Sequence, residues 1–337
     1  TGRMTTPSPP TLHCLPLPTP FSVGDVNVYL LESDGCGGGP TLLDTGPLWK
    51  PAETALRQGL AALGYAVSDL ERIIISHPHA DHYGLAGKLA AESSARVLAH
   101  PSSRATLEQG SATNRRATRF YREWFTRSGV PPQVQEAIAQ AKTATRQYAR
   151  PVQMDGEVND GDRLRMGGYD WETMLVPGHS GGLICFYEPE TGVLLASDHL
   201  IADISSNPVV EPPPDGESGR PKRLLQYLQQ LERVASLRPA VAYSGHGQAI
   251  TDVCGLVKTR IAFHHQRADQ VWEHLVERPA TLFELAGKLF SVDLPPVHLF
   301  LALSEVQGHL DMLEDAGRAR CSTDGPVCCW TAEPIAN

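Results

Sequence analysis

The chain has 337 residues, of which 41 % are hydrophobic and 20 % charged; this is globular composition and excludes a disordered or fibrous chain. No apolar run approaches the ~18–20 residues of a membrane span, so an integral membrane protein is not expected. The net charge of −9 argues against a surface built to grip nucleic acid along its whole length.

That charge is unevenly spread: residues 101–150 hold nine Lys/Arg against three Glu, so the acidity lies elsewhere. No basic start followed by an apolar stretch opens the chain, so no secretory signal is expected, and Thr1-Gly2-Arg3 ahead of Met4 reads as an expression remnant. The seven cysteines are odd in number and include no CxxC pair, which fits a reducing cytoplasm. Cys321, Cys328 and Cys329 lack a fourth partner at zinc-ribbon spacing and are expected to fill a hairpin as small apolar groups.

Residues 1–20 read as an N-terminal extension. From Phe21 to about Gly46 the pattern is β, with strands at 26–32 and 41–44 around a Gly-rich turn. Leu56, Leu60 and Leu63 mark one stripe of a helix over 52–63, and 70–75 is a wholly apolar β-branched strand of the kind buried on both faces. A helix at 84–93 and a strand at 95–99 follow. Residues 102–150 form a helical insertion, including the aromatic and basic run 119–125 and a helix from Pro131 to Arg146. Strands return at 164–166, 171–176, 182–187, 193–196 and 241–244, with a Pro/Gly/Ser-rich loop at 205–221 and helices at 222–237 and 252–278. Residues 279–337 read as two helices, 281–290 and 297–316, and a hairpin around Asp324-Gly325, the outline of a winged-helix-like module. The expected class is α/β: two αβ halves packed sheet against sheet with helices outside, a catalytic domain over 21–278 and a small domain over 279–337.

The informative string is Ile75-Ser76-His77-Pro78-His79-Ala80-Asp81-His82-Tyr83-Gly84. It places three imidazoles and a carboxylate within six residues, directly after a buried strand. Imidazole and carboxylate are zinc's usual non-thiol ligands. His179, Asp198 and His246 each follow a strand and stand beside Gly or a polar turn, where a sheet end would present them. Five His and two Asp suit two metals sharing one carboxylate and one water.

These motifs carry a resemblance. The sequence resembles the metallo-β-lactamase superfamily over roughly residues 20–250. Its HxHxDH hallmark is matched at His77, His79, Asp81 and His82, and its Asp-Thr-Gly turn at Asp44–Gly46. The resemblance implies an αββα sandwich. It implies that His77, His79 and His179 bind one metal, that Asp81, His82 and His246 bind a second, and that Asp198 bridges them. With Asp81 and Asp198 both present, the chain looks like the glyoxalase II, lactonase, thioesterase and nuclease branches. The helix with His264-His265 and the tail are similar to the β-lactamase-like protein 2 group.

The expected activity is hydrolysis of a small ester or thioester by a hydroxide held between two divalent ions, most simply Zn²⁺, although His/Asp ligands also accept Fe and Mn. Asp81 and His82 are the expected catalytic residues. An endoribonuclease acting on single-stranded RNA is the second reading, and a non-catalytic interaction module the third. His199, His264, His265 and His100 are expected to serve structure. Arg115, Arg116, Arg119, Arg122 and Arg127 are read as either a phosphate-recognising lid or a solvated helix face, with the solvated face favoured. Phe120, Tyr121, Trp124 and Phe125 are read as the lid's apolar side, closing the pocket against the sandwich. Residues 281–337 hold three Lys/Arg against eight Asp/Glu, so DNA is not an expected partner; a packing or homodimerisation role fits better.

Overall fold

Three consecutive isoleucines show how the layers are built. The computed structural model describes residues 11–33, 35, 38–109, 115–290, 294–322 and 324–333; Thr1-Gly2-Arg3 and Cys36 lie outside the described residues. The first sheet contains β1 (Leu12–Leu17), β2 (Val26–Leu31), β3 (Thr41–Leu43), β4 (Arg72–Ile75), β5 (Arg96–Ala99) and β6 (Gly156–Glu157), in that spatial order. The second contains β7 (Arg163–Met166), β8 (Tyr169–Leu175), β9 (Ile184–Glu188), β10 (Val193–Ser197) and β11 (Val241–Ser244), ordered β11-β10-β9-β8-β7.

On β4, Ile73 and Ile75 pack outward against Leu56 and Leu60, while Ile74 points inward to a core shared with Trp171, Ile184, Phe186 and Leu195 of the second sheet. On β10 the same alternation sends Leu195 inward and Leu194 and Ala196 outward. Period-2 side-chain geometry on two sheets, each apolar on both faces, leaves a second layer to cover each outer face. In the first half that layer is α1 (Lys50–Ala62), α2 (Ala80–Tyr83) and α3 (Ala86–Glu92). The insertion supplies α4 (Arg104–Gln109), α5 (Arg115–Arg127) and α6 (Pro132–Ala144). The second half adds α7 (Arg223–Ser236) and α8 (Val253–Glu277), then α9 (Leu282–Leu289), α10 (Pro296–Asp315) and the antiparallel hairpin β12 (Ala319–Ser322) and β13 (Cys329–Ala332). This is the expected αββα sandwich.

Four differences from the sequence expectation stand out. The segment before residue 21, read as an extension, contributes β1, which pairs antiparallel with β2 from Leu12↔Leu31 to Leu17↔Val26. Its alternation is weak because it is an edge strand that buries only Leu15 and Leu17 and carries Pro16. The two-residue strand β6 continues the first sheet in parallel with β5. Cys321 and Cys328 are joined by a disulfide, with Cα atoms 5.9 Å apart, rather than acting as separate apolar fillers; the hairpin brings its two strands within cross-linking distance. The aromatic face of α5 meets the C-terminal elements: Tyr121, Trp124 and Phe125 all contact the Phe300 ring of α10, and the Trp124 indole N–H donates to Gln307 at 3.0 Å.

One apolar cluster therefore runs from the outer face of the second sheet through α7 and α8 into the insertion, α9, α10 and the hairpin. Within it, the Arg220 guanidinium ties the 205–221 loop to α10 through two bonds to the buried Asp311 carboxylate, at 2.5 and 2.8 Å. Removing one partner of a buried pair strands the other charge in the core. Arg220→Ala is expected to destabilise the protein by about 3 kcal/mol in urea unfolding, and the added change Asp311→Leu to restore a large part of that loss.

Candidate metal centre

The seven singled-out side chains arise where strands end. In β3 and β4, parallel neighbours, the chain leaves the sheet on the same edge, so Asp44 and Ser76-His77 emerge side by side. His77 and His79 sit two residues apart on extended chain (His79 φ −88°, ψ 147°), which points both to one side. His79 then precedes the short helix α2, whose first turn carries Asp81 and His82. From the second sheet, β8 leads to His179, β10 to Asp198 and β11 to His246.

All seven converge. Asp198 Oδ2 lies 3.4 Å from His82 Nε2, 3.5 Å from His179 Nε2, 3.6 Å from His246 Nε2 and 4.0 Å from His77 Nε2. His79 Nδ1 is 3.0 Å from His77 Nε2 and 2.9 Å from His179 Nε2. Asp81 Oδ2 is 3.5 Å from His246 Nε2 and 4.0 Å from His82 Nε2. Three groups have donor atoms close enough to share an ion: His77, His79 and His179; His77, His82 and Asp198; and Asp81, His82 and His246.

The far side of each ring explains this arrangement. The Nδ1–H of His82 donates to Asp44 Oδ2 at 2.8 Å, that of His179 to the Asn207 carbonyl at 3.1 Å, and that of His246 to the Asp25 carbonyl at 2.7 Å. Ser76 Oγ donates to Asp44 Oδ2 at 2.7 Å and accepts from Ser197 Oγ at 2.8 Å. Its proton is thereby committed, so His77 Nδ1, 3.0 Å away, is the donor to it. Four imidazoles thus have Nδ1 committed as a donor and Nε2 turned inward. His82 Nε2, His246 Nε2 and Asp198 Oδ1 are buried without a hydrogen-bond partner. Buried polar atoms without a hydrogen-bond partner are costly, and a cation held between them would satisfy all three; this donor set fits a divalent metal of the zinc type.

Charge is set to match. Burial, with the neighbouring His179, brings His79 down to about 3, and burial together with His82 and His79 drives His77 well below its ordinary value. Both rings are neutral at pH 7, as ligands must be. Burial works against the charge on Asp81, but His82 and His246 outweigh it and hold the carboxyl at about 2. Burial likewise opposes a proton on His82, yet Asp198, Asp44 and Asp81 raise it well above the usual imidazole range; a cation in the site takes the place of that proton.

Backbone shape aims the carboxylates. Asp44 and Ser197, neither a glycine, have φ of 62° and 44°, and strain of this kind persists where surrounding contacts fix it. Ser197 ends β10 at an irregularity in its pairing with β11, which turns Asp198 into the cleft. A Cβ on Gly245 would collide with Asp198 Oδ1, so only glycine fits beside that carboxylate. Asn27 braces the same loop, donating to the carbonyls of Ser244 and Gly247 at 3.1 and 2.9 Å.

The residues around the ligands divide into those foreseen and those missed. Asp44 was visible within its turn; Ser76, Ser197, Asn207 and Asn27 were not singled out, although a lone amide inside the apolar run Val26-Asn27-Val28 was a usable signal. His199 is buried against Tyr227 and does not open on the cleft. His264 packs in the core, its Nδ1 3.2 Å from His309 Nε2 and its Nε2 3.0 Å from Ser205 Oγ. His100 caps the turn at 101–103 through Ser102. The arginines of α5 lie on its exposed side, where Arg116 pairs with Asp215 and Arg119 with Glu123; they form a solvated face.

An αββα sandwich with five imidazoles and two carboxylates gathered at one edge is the framework of a metal-dependent hydrolase. The chain belongs to the metallo-beta-lactamase superfamily, whose family model matches residues 22–246. It is 35 % identical over 306 residues to "Probable metallo-hydrolase YqjP" of Bacillus subtilis (strain 168), covering 88 % of this chain and 90 % of that protein. A metallo-beta-lactamase family protein from Thermus thermophilus superposes with a TM-score of 0.81 at 29 % identity, over 96 % of this chain and 99 % of that one. The "Beta-lactamase-like protein 2 homolog" of Drosophila melanogaster is 23 % identical over 90 % of this chain and 87 % of its own length, in keeping with the group named from sequence. A shorter stretch of 115 residues, 34 % of this chain and 33 % of that protein, is 26 % identical to "Atrochrysone carboxyl ACP thioesterase" of Claviceps purpurea (strain 20.1).

The hydrogen bonds behind the rings can be tested one at a time. Asp44→Asn leaves the ligands in place but loosens the hold on His82 and Ser76; zinc affinity by competition with a chromogenic chelator is expected to fall about 10–100-fold. A second test concerns the buried pair beyond the site. Burial lowers His264 to about 4 and His309 to about 3. Both are therefore neutral when folded and take up protons on unfolding below about pH 6.5. Their contribution to stability is present above that pH and is lost as pH falls toward about 4. Thermal melts at pH 7, 6 and 5 should show a shallower acid slope for His309→Leu than for the parent.

Proposed function

We propose that the protein hydrolyses a small ester or thioester with the help of two divalent cations, zinc by preference. The observation that carries this reading is the position of Asp198 Oδ2, within 4.0 Å of Nε2 on four histidines drawn from both sheets. His77, His79 and His179 would hold one cation, Asp81, His82 and His246 the other, with Asp198 serving both. When bound, the cations supply Lewis acidity toward the scissile carbonyl and make water acidic enough to attack at neutral pH.

The remaining work falls to the chain itself. Asp81 is the more open of the two carboxylates, its side chain 16 % exposed against 6 % for Asp198, and it is ionised at neutral pH. In this reading it orients the attacking water and takes up its proton. His82, fixed by Asp44, holds the position of Asp81 and Asp198 and closes the floor of the site. Partial similarity to a thioesterase favours an acyl substrate, and the pairing of Arg116 and Arg119 with acidic neighbours removes much of the basic surface that an RNA path would use.

A panel of acyl-CoA, acyl-glutathione, homoserine lactone, cephalosporin and an oligouridine RNA tests the proposal. Ester or thioester turnover is expected, lost on chelation and restored by zinc, and lowered about 10²–10⁴-fold by Asp81→Asn. Turnover that survives complete metal removal, or cleavage of the RNA alone, would overturn it.

A further inference from the structure

Among the basic side chains of the insertion, Lys142 on α6 stands apart. The arginines of α5 face solvent, but Lys142 is half-buried over two aromatic rings, its ammonium 3.9 Å from the centroid of Tyr121 and 3.8 Å from that of Phe300. No acceptor among the described residues hydrogen-bonds its Nζ. Glu211, the nearby carboxylate, is already engaged by Arg223 at 2.7 Å and by the Gly181 N–H at 2.8 Å. Aromatic faces attract a cation but accept none of its N–H bonds, and the side chain is only half-buried, so the ammonium stays open to an acceptor from outside. An apolar side chain of similar length would fill the slot between the rings at less desolvation cost.

Two separate chains of contacts connect the surroundings of this cation to the metal centre. The Tyr121 hydroxyl donates to the Val210 carbonyl at 3.1 Å, and the adjacent Val209 N–H donates to the carbonyl of His179 at 3.4 Å. Phe300 precedes Leu301, whose carbonyl accepts from Asn207 Nδ2 at 3.0 Å, and the Asn207 carbonyl receives His179 Nδ1–H. Both rings that hold Lys142 thus lead, through one hydrogen bond and a residue or two, to the same ligand corner.

We propose that Lys142 anchors an anionic group of the substrate, a carboxylate or phosphate carried a short distance from the scissile bond. The proposal rests on the hydrolase reading and names its substrate class: an ester or thioester bearing a fixed negative charge. Burial, reinforced by Arg146 and opposed by Glu211, brings the amine down to about 8, so it is still mainly protonated at pH 7. A bound anion would stabilise that charge.

The test uses the zinc-loaded full chain and two esters matched in size, p-nitrophenyl butyrate (neutral) and mono-p-nitrophenyl glutarate (anionic). Lys142→Met is expected to lower kcat/KM on the glutarate ester by about tenfold and leave the butyrate ester unchanged, with Lys142→Arg retaining much of the preference. Calorimetric titration with glutarate and with inorganic phosphate should show binding that weakens in Lys142→Met, and the better ligand identifies the anion. In the unmutated protein, the same anion should protect Lys142 from acetylation, read by peptide mass spectrometry; this arm stands even where the Met variant folds poorly. Equal losses on both esters, no change on either, or absence of protection would overturn the proposal. If neither ester is cleaved, the hydrolase reading fails on its own, while titration and protection still decide whether Lys142 holds an anion.

Discussion

Everything at this site depends on holding seven polar side chains together where water does not reach them. Five imidazoles and two carboxylates face one another in a buried space, and their mutual attraction is offset by the cost of burying them all. What holds them is the hydrogen bonding on the opposite edges of the rings: Asp44 to His82, Ser76 to His77, the Asn207 carbonyl to His179 and the Asp25 carbonyl to His246. Each bond fixes the orientation of a ring and commits its far nitrogen as a donor, so the nitrogen left to meet a cation is always the inward one. Preorganisation of this kind moves the cost of assembling the site into folding.

The fold serves that arrangement directly. Parallel β3 and β4 deliver Asp44 and Ser76 to the same edge, and the second sheet brings Ser197 and Asp198 to meet them. The hydroxyl pair Ser197–Ser76 and the Ile184 N–H to Ser76 carbonyl bond at 3.0 Å join the sheets within the ligand set itself. The strained backbone at Asp44 and Ser197 falls at this junction, where packing and hydrogen bonding on all sides hold it in place.

Much of this was legible in the sequence because strand ends have a signature. The run Ile73-Ile74-Ile75 announces a strand buried on both faces, and polar groups directly after it have one place to go, the sheet edge; His179, Asp198 and His246 follow the same logic. The supporting serines and asparagines were hidden because their residue types are common in any loop, and only the tautomer problem, posed in three dimensions, gives them a role. Strand β1 escaped notice since an edge strand with Pro16 lacks the alternation that reveals interior strands. The aromatic run at 120–125 was correctly read as an apolar face, but its partner, Phe300, lies about 180 positions away in a helix whose own pattern does not say what it meets.

The continuous apolar cluster that joins the second sheet to α10 has a bearing on divergence within this architecture. The ligand edge tolerates little change, because four of its rings are held from behind, three of them by partners drawn from elsewhere in the chain. Helices α5, α6 and the start of α10, by contrast, lean on one another largely through side-chain packing. Sequence drift there can repack these helices without disturbing the seven side chains at the sheet edge, so the two parts of the chain are free to diverge at different rates.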